Sequence, residues 1–281
     1  MISWSWSPRS GQDYKAMAVD AVPSSPFPQP APPALELDGL TRRFGNITAV
    51  DRVSLRIAAG ETFGLIGPNG AGKSTLMKML TTLLPPSAGV AQVAGFDLAR
   101  RPQQVRARIG YVPQLPSADG ELTGYENMLL SARLYLVPRA ERRATIAASL
   151  DLMGLTEVQH RLVQTYSGGM ARRLEVAQST MHRPAILFLD EPTVGLDPAG
   201  RATVWKHVRD LRDRIGAAVI FSTHYMEEAE DLCDRIALIN AGRIVAIGSP
   251  ADLKTRFAAA TLDDLFAQLA GDRLPAAAMP S

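Results

Sequence analysis

Two short stretches of the sequence combine glycine, lysine, serine and carboxylate residues at spacings that could support chemistry. The first, GPNGAGKST, follows the apolar run TFGLI and precedes a helical pattern, which is the setting that a phosphate-binding loop requires. Its glycines let backbone N–H groups turn toward phosphate oxygens, Lys73 would reach the β- and γ-phosphates, and the Ser74 hydroxyl would ligate Mg²⁺. A glycine-rich turn with a surface lysine is the weaker alternative. The stretch comprises Gly67, Pro68, Asn69, Gly70, Ala71, Gly72, Lys73, Ser74 and Thr75.

The second stretch, AILFLDEPT, ends an apolar strand on two carboxylates. Side chains along a strand point alternately to opposite faces, but the chain turns where a strand ends, so Asp190 and Glu191 could both face one ligand. Asp190 is placed to hold Mg²⁺, directly or through water, and Glu191 to orient or deprotonate an attacking water. In isolation such a strand exit is often only structural, but the loop upstream favours the catalytic interpretation.

A second glycine-containing cradle, YSGGMARRLEVAQ, has a different composition. Ser167, Gly168 and Gly169 precede an amphipathic helix, whose free backbone N–H groups can bind an anion. No lysine follows at the place where a phosphate-binding loop would carry one. The residues alone leave open what this second cradle binds.

His224 closes the apolar run AAVIFSTH and could contact a γ-phosphate or the water beside it, although a histidine there is more often only a satisfied polar group. The charged residues around these motifs are predicted to be solvated surface. They are the acidic run Glu227, Glu228, Glu230 and Asp231, and the pairs Arg100/Arg101, Arg142/Arg143 and Arg172/Arg173.

The elements that must position these residues follow from hydrophobic patterning. TFGLIG, PAILFLD and AAVIFSTH are short apolar runs typical of strands buried on both faces, while LELDGL and VSLRIAAG alternate like half-buried strands. Helical patterns occupy Ser74 to Leu83, the stretch after Gly169, and TVWKHVRDLRDRI. Strands that alternate with helices predict an α/β fold with a mainly parallel sheet. The last helical pattern has one apolar stripe, formed by Val204, Val208, Leu211 and Ile215.

Composition narrows the class of protein. Hydrophobic residues make up 46% and charged residues 21%, as in ordinary globular proteins, and a net charge of +2 without a concentrated basic patch predicts no nucleic-acid partner. The single Cys233 excludes an internal disulfide and is predicted to be a small buried residue. No run reaches the roughly 18 apolar residues of a membrane span. Residues 1–33 are rich in proline and serine, which predicts a disordered tail.

Taken in order, the motifs resemble those of the ATP-binding subunit of an ABC transporter, over roughly Leu35 to Leu253. In that resemblance Phe44 matches the aromatic residue that stacks on adenine, and Gln114 matches the Q-loop glutamine that touches Mg²⁺ and water. The SGG sequence matches the family signature, Asp197 the D-loop, and His224 the H-loop histidine. The implied fold is a P-loop NTPase core with a small antiparallel β subdomain and an α-helical subdomain.

The resemblance also implies a role for the second cradle. Two such subunits pair head to tail, and each ATP lies between one subunit's phosphate-binding loop and the other's signature. One loop and one signature per chain therefore imply a second ATPase subunit, either another copy of this chain or a paralogue, and a separate integral membrane permease. The implied cofactors are ATP and Mg²⁺, the activity is ATP hydrolysis coupled to transport, and the location is peripheral, at the cytoplasmic face of the cell membrane.

Two departures point to one branch of the family. The signature begins with Tyr166 instead of leucine and ends with Met170 instead of glutamine. Similar signatures occur in the branch that resembles the daunorubicin exporter and related exporters of drugs, lipids and polysaccharides, and TLDDLFAQLAG resembles that branch's tail motif. In the tail, Thr261 with Asp264 resembles a helix cap. An apolar stripe there would either pack on the domain or serve a regulatory or dimer-stabilising tail; it consists of Leu262, Leu265, Phe266 and Leu269.

The expected domains are a tail at 1–33, an ATPase domain at 34–257 with a helical subdomain at about 115–166, and a C-terminal helix and tail at 258–281. The surface from Leu115 to Asn127 would receive the coupling helix of a membrane subunit. Two alternatives fit less well. A non-transport ABC ATPase acting on DNA or ribosomes would show a long coiled coil or two cassettes, and a binding module without activity would be expected to lack Lys73 or Glu191.

Overall fold

The computed structural model describes residues 33–271. Two predicted regions lie outside the described residues: all of the N-terminal tail except Pro33, and residues 272–281 of the C-terminal region. In chain order the strands are β1 (Leu35–Phe44), β2 (Ile47–Ile57), β3 (Thr62–Ile66), β4 (Ala88–Val93), β5 (Phe96–Asp97), β6 (Ile109–Val112), β7 (Ile186–Asp190), β8 (Ala218–Thr223), β9 (Arg235–Asn240) and β10 (Arg243–Gly248). The helices are α1 (Lys73–Leu80), α2 (Pro102–Arg106), α3 (Gly124–Leu134), α4 (Arg142–Leu152), α5 (Gly168–Thr180), α6 (Pro198–Ile215), α7 (Met226–Leu232), α8 (Pro250–Arg256) and α9 (Leu262–Gly271).

A six-stranded sheet in the order β10-β9-β3-β8-β7-β6 forms the centre of the molecule. Its strands are parallel except for β10, which runs antiparallel to β9. Every residue of β3, β7 and β8 is buried, as their apolar runs predict. Because these three strands are parallel neighbours, their carboxyl ends lie at one edge of the sheet, where the phosphate-binding loop, the two carboxylates and His224 follow. The predicted α/β fold is confirmed.

A second, antiparallel sheet has the order β2-β1-β4-β5. Its apolar side chains, among them Leu37 and Val53, join one core with α1 and with one face of the central sheet, which contributes Phe63 and Phe188. This arrangement is the small antiparallel β layer that the resemblance implies, and it leaves the end of β1 beside solvent, with Phe44 43% exposed.

Helices α3 to α6 cover the other face of the central sheet. Met128, Leu150 and Leu174 pack there with Leu189 and Phe221 of the sheet. The stripe predicted for α6 is buried at its first three positions and only partly buried at Ile215, where the helix ends. These helices include the segment predicted as a helical subdomain; the domain boundaries themselves remain a prediction.

The C-terminal helix α9 packs on its own chain. Leu262, Leu265 and Leu269 are buried in a cluster with residues of α7, α8 and β9, and Phe266 packs partly buried against it. The Thr261 amide donates to the Asp264 carboxylate at 3.1 Å, and the Asp264 amide donates to the Thr261 hydroxyl at 3.1 Å, which is the predicted cap. The structure thus assigns the buried part of the tail stripe to packing. Within residues 33–271, no helix combines the length and apolar character needed to cross a bilayer.

Candidate active site

The loop between β3 and α1 is a tight cradle of backbone groups. Gly70 and Gly72 have φ of +81° and +104°, in the left-handed region that other residues rarely adopt. A Cβ atom on Gly67 would lie 2.2 Å from the Ile239 carbonyl oxygen, and one on Gly72 would lie 2.4 Å from that of Ala49. Glycine is therefore required at both positions, because the loop packs directly against neighbouring backbone.

Lys73, the first residue of α1, holds its ammonium group across this loop. Its Nζ donates to the carbonyl oxygens of Gly67 at 2.7 Å and Pro68 at 3.1 Å, and it lies 3.4 Å from Glu191 Oε1. The two charged side chains are only 4% and 7% exposed. A buried cation at a helix N-terminus is suited to binding phosphate.

The two carboxylates at the end of β7 both contact the phosphate-binding loop or its helix. Asp190 Oδ1 accepts from the hydroxyls of Ser74 at 3.1 Å and Ser222 at 2.6 Å, whereas Glu191 faces Lys73. The neighbours can share one side because Glu191 has φ of +48°, a left-handed turn that costs of order 1–3 kcal/mol for such a residue. The Glu191 amide stabilises this turn by donating to the Ser222 hydroxyl at 3.0 Å.

Two further predicted residues converge on the Glu191 carboxylate. Gln114 Nε2 donates to Glu191 Oε2 at 3.1 Å, and His224 Nδ1 lies 3.7 Å from Glu191 Oε1. His224 Nδ1 is buried and has no hydrogen-bond partner within residues 33–271. A glutamate that accepts from an amide, pairs with an ammonium and lies near an imidazole is well placed to orient a water molecule and to take its proton.

The oxygen donors beside the loop fit a magnesium ion. Ser74 Oγ and Asp190 Oδ1 are 3.1 Å apart, and Mg²⁺ typically takes one or two such protein oxygens and completes its shell with water and phosphate oxygens. The third predicted ligand, Gln114, is hydrogen-bonded to Glu191, the residue after Asp190. Burial and, to a lesser degree, the negative charge of Asp190 raise the pKa of Tyr111 to about 12, so this phenol stays neutral near the carboxylate.

The second cradle is an open groove between the N-termini of α5 and α6. Ser167 caps α5, and its hydroxyl accepts from the Met170 amide at 3.3 Å. Asp197 caps α6, and its carboxylate accepts from the Gly200 amide at 2.7 Å. The groove has a volume of about 410 Å³, and none of residues 67–75 lines it. The two cradles of one chain are therefore separate sites.

Two aromatic residues singled out in the sequence, Phe44 and Tyr166, have different surroundings. Phe44 has the guanidinium carbon of Arg42 4.6 Å from its ring centroid and retains an exposed surface that could stack on a base. Tyr166 anchors the signature, because its hydroxyl donates to the Val158 carbonyl at 2.8 Å and packs against Gly124.

Two predictions of solvated charge were wrong. Arg172 is buried and pairs with Glu175 three residues later on α5, with Nη1 to Oε2 at 2.8 Å. Glu228 is buried as well, and accepts from the hydroxyls of Thr193 and Thr223. Sequence reasoning also missed Ser222, which bonds Asp190. The nearby sequence contains the opposite charge of Glu175 for Arg172, and Thr223 five residues before Glu228. Thr193 and Ser222 are distant in sequence from the carboxylates that they bond.

The residues from 50 to 194 match the family model described as ABC transporter. The chain is 46% identical over 222 residues to the daunorubicin/doxorubicin resistance ATP-binding protein DrrA of Streptomyces peucetius, covering 79% of this chain and 67% of that protein. It is 40% identical over 245 residues to the Nod factor export ATP-binding protein I of Rhizobium meliloti, covering 87% and 70%. A solved structure titled as the ATP binding subunit of an ABC transporter is similar, with a TM-score of 0.75, 29% identity, and coverage of 84% of this chain and 99% of that one.

Proposed function

The chain belongs to the ATP-binding proteins of ABC transporters, and from this premise we propose that it energises an exporter as one of two ATPase subunits paired head to tail on a separate membrane permease. The family binds ATP and couples its hydrolysis to transport. Export is proposed because the relatives in question are named for drug resistance and for Nod factor export. An ATPase acting on DNA or ribosomes is not favoured by these relatives.

The single observation that carries the head-to-tail proposal is the separation of the two cradles. Lys73, Ser74, Asp190 and Glu191 form one cluster, whereas Ser167 lines an open groove that contains no part of the phosphate-binding loop. The signature therefore presents backbone amides at a helix N-terminus, but it does not lie over the phosphate-binding loop of its own chain. A second subunit turned by a two-fold axis would bring each signature over the other's loop.

Within one site we assign the following roles. Lys73 and the loop amides bind the β- and γ-phosphates, and Phe44 stacks on the base. Glu191 accepts the proton of the attacking water, which Gln114 and His224 help to orient. Ser74 and Asp190 hold Mg²⁺, which neutralises charge on the phosphate oxygens when it is bound. The remaining contacts, from the signature and from Asp197, come from the partner.

We assign the permease contact to the surface that includes Leu115, which is 78% exposed beside Gln114. Leu134 and Leu136, at the end of α3, are 72% and 82% exposed and add apolar surface on the helical side. Attachment there would place the chain on the cytoplasmic face of the membrane.

Two measurements test this function. ATP turnover per chain should rise with protein concentration, because each site needs a partner; a rate independent of concentration contradicts the shared site. Purification of the tagged chain from detergent-solubilised membranes should recover an integral membrane protein, whereas recovery of ribosomes or DNA in its place contradicts the transport role.

A further inference from the structure

Arg172 and Glu175 form a buried ion pair on one side of α5, shortly after the signature. Their side chains are 8% and 3% exposed. Burying two charges is unfavourable unless their remaining hydrogen-bonding capacity is satisfied, so the groups that satisfy it indicate what the pair does. Those groups lie on another segment of the chain.

Both charged groups are bonded to residues 113–118, named here the glutamine loop. Arg172 donates to the carbonyl oxygens of the loop's first two residues, at 2.7 and 3.0 Å. Glu175 Oε1 accepts from the amide and the hydroxyl of Ser117 and from the amide of Ala118, the last at 3.3 Å. The ion pair thus holds both ends of the glutamine loop against α5.

The glutamine loop in turn contacts the catalytic carboxylate, because Gln114 donates to Glu191 Oε2 at 3.1 Å. At the start of α5, Ser167 caps the helix and lines the open groove. A regular helix moves as one element, so direct contacts link the signature to the carboxylate.

We propose that Arg172 and Glu175 are positioning residues that make the signature and the glutamine loop move together, and thereby couple the two ATP sites of a pair. The inference rests on the head-to-tail pairing proposed above. When the signature closes over the partner's ATP, the glutamine loop moves with α5, and the position of Gln114 relative to Glu191 in the chain's own site changes with it. Occupancy of one site then controls hydrolysis at the other.

The test uses the full chain and Mg²⁺-ATP, with two variants that preserve size. Arg172→Lys keeps the charge but loses the fork that binds two carbonyls, and Glu175→Gln removes the charge that Arg172 pairs with. Each should lower kcat at least about tenfold and move the Hill coefficient for ATP toward about 1, as loss of an ordinary coupling energy would. The Kd for ATP of the isolated chain should change by less than about twofold.

Arg142→Lys is the matched control. Arg142 also donates to a loop carbonyl, that of Val137 at 2.8 Å, but it touches neither cradle nor the glutamine loop. It should retain the parental kcat and Hill coefficient. A parallel loss in this control would show that any weakened arginine disturbs the helical region, and would overturn the specific role of Arg172.

A double variant, Arg172→Met with Glu175→Leu, keeps the inference testable if the single variants fail to fold, because an apolar pair of similar size removes both buried charges at once. It should fold, with an unfolding temperature below that of the parent because the loop groups lose their hydrogen-bond partners, and its ATP hydrolysis should lose cooperativity. Parental kcat and cooperativity in this variant overturn the inference, and so does a fall in kcat that merely follows weaker ATP binding. Absence of turnover in the parent contradicts the proposed function itself.

Discussion

The two cradles of this chain use similar backbone chemistry in opposite surroundings. At the phosphate-binding loop, Lys73 and Glu191 are 4% and 7% exposed and are tied to each other and to neighbouring backbone. At the signature, Ser167 is exposed at the edge of a groove and is bonded only as a helix cap. The first cradle holds its buried cation and carboxylate against the loop, whereas the second presents the N-terminal amides of α5 and a hydroxyl in an open groove that Arg173 and Asp197 also line.

This difference indicates which steps a single chain can perform. A site with fixed charges can bind a triphosphate alone, because its geometry does not depend on a partner. An exposed helix N-terminus is selective for anions but weak, so it acts by adding to a site that is already occupied. The comparison therefore predicts that binding and hydrolysis can be separated by mutation.

The largest effect is expected when each cradle is disabled in a different chain. Lys73→Ala should weaken ATP binding about 10- to 100-fold, which is the contribution of a hydrogen bond to a charged group. Ser167→Arg should leave ATP binding intact, while the arginine side chain blocks the groove. Each variant alone should lack hydrolysis. Mixed together, they should recover up to about a quarter of parental turnover, since half of random pairs are mixed and one of their two sites is intact. Steady-state ATPase assays of the mixture measure this.

A mixture no more active than its two components would contradict the division between the cradles. The separate variants supply the baseline, and ATP binding by Ser167→Arg, measured on the isolated chain, shows that its own loop still works. Loss of binding in that variant would place the signature in the same site as the loop of its own chain.

Glu191→Gln is expected to have the next largest effect. The amide cannot accept the proton of the attacking water, so hydrolysis should fall by about 10²–10⁴-fold, the usual contribution of a general base. ATP should still bind, and pairs of chains should accumulate with it, as measured by light scattering during size-exclusion chromatography. Glu126→Gln is a control, because Glu126 belongs to the cap of α3 and lies outside both cradles. Undiminished turnover in Glu191→Gln would contradict the assigned role.

The parts of this comparison that sequence could predict are local in the chain. The apolar runs of β3, β7 and β8 and the loop that follows β3 depend on residues within a few positions of one another, so spacing alone indicates them. The cap formed by Thr261 and Asp264 is equally local, and the structure contains both of its hydrogen bonds.

The rest depends on partners that are distant in sequence. Arg172 was assigned to the surface because charged residues are seldom buried, and nothing near it in the chain shows that it meets the glutamine loop. Glu228 is a mixed case, because Thr223 is five residues away whereas Thr193 lies 35 residues earlier, after β7. The left-handed conformation of Glu191 has no signal in residue type, because glutamate rarely adopts it.

A smaller effect is expected from the base of the signature. Tyr166→Phe removes the hydroxyl that donates to the Val158 carbonyl, so the free energy of unfolding should fall by about 0.5–1.5 kcal/mol. ATP binding by the isolated chain should not change, because the phosphate-binding loop does not touch this bond. Urea unfolding and nucleotide titration measure the two effects. Tyr135→Phe is the control, because the Tyr135 ring stacks on His182 away from the signature's anchoring bond. An ATP-binding defect in Tyr166→Phe, but not in Tyr135→Phe, would show that the cradles are not independent.

The smallest effect concerns the support behind the phosphate-binding loop. Arg243 Nη2 lies 2.6 Å from the Asp51 carboxylate. The Asp51 amide donates to the Gly242 carbonyl, and the Gly242 amide donates to the carbonyl of Ala71 in the loop. The bond from Arg243 holds the pKa of Asp51 below its usual 3.8. A carboxyl whose pKa is lower in the folded state stabilises the fold above its unfolded pKa, and this contribution is lost as the pH falls through the folded value.

Asp51→Asn should therefore reduce the free energy of unfolding by no more than about 1 kcal/mol at pH 7, because Arg243 is 62% exposed and solvent screens the pair. The difference between parent and variant should shrink below pH 3.8, as measured by urea unfolding at a series of pH values. Asp210→Asn, which breaks a more exposed ion pair with Lys206, should change stability less at every pH. A parent–variant difference that persists unchanged into acid would mean that Asp51 supports the loop by its shape and not by its charge.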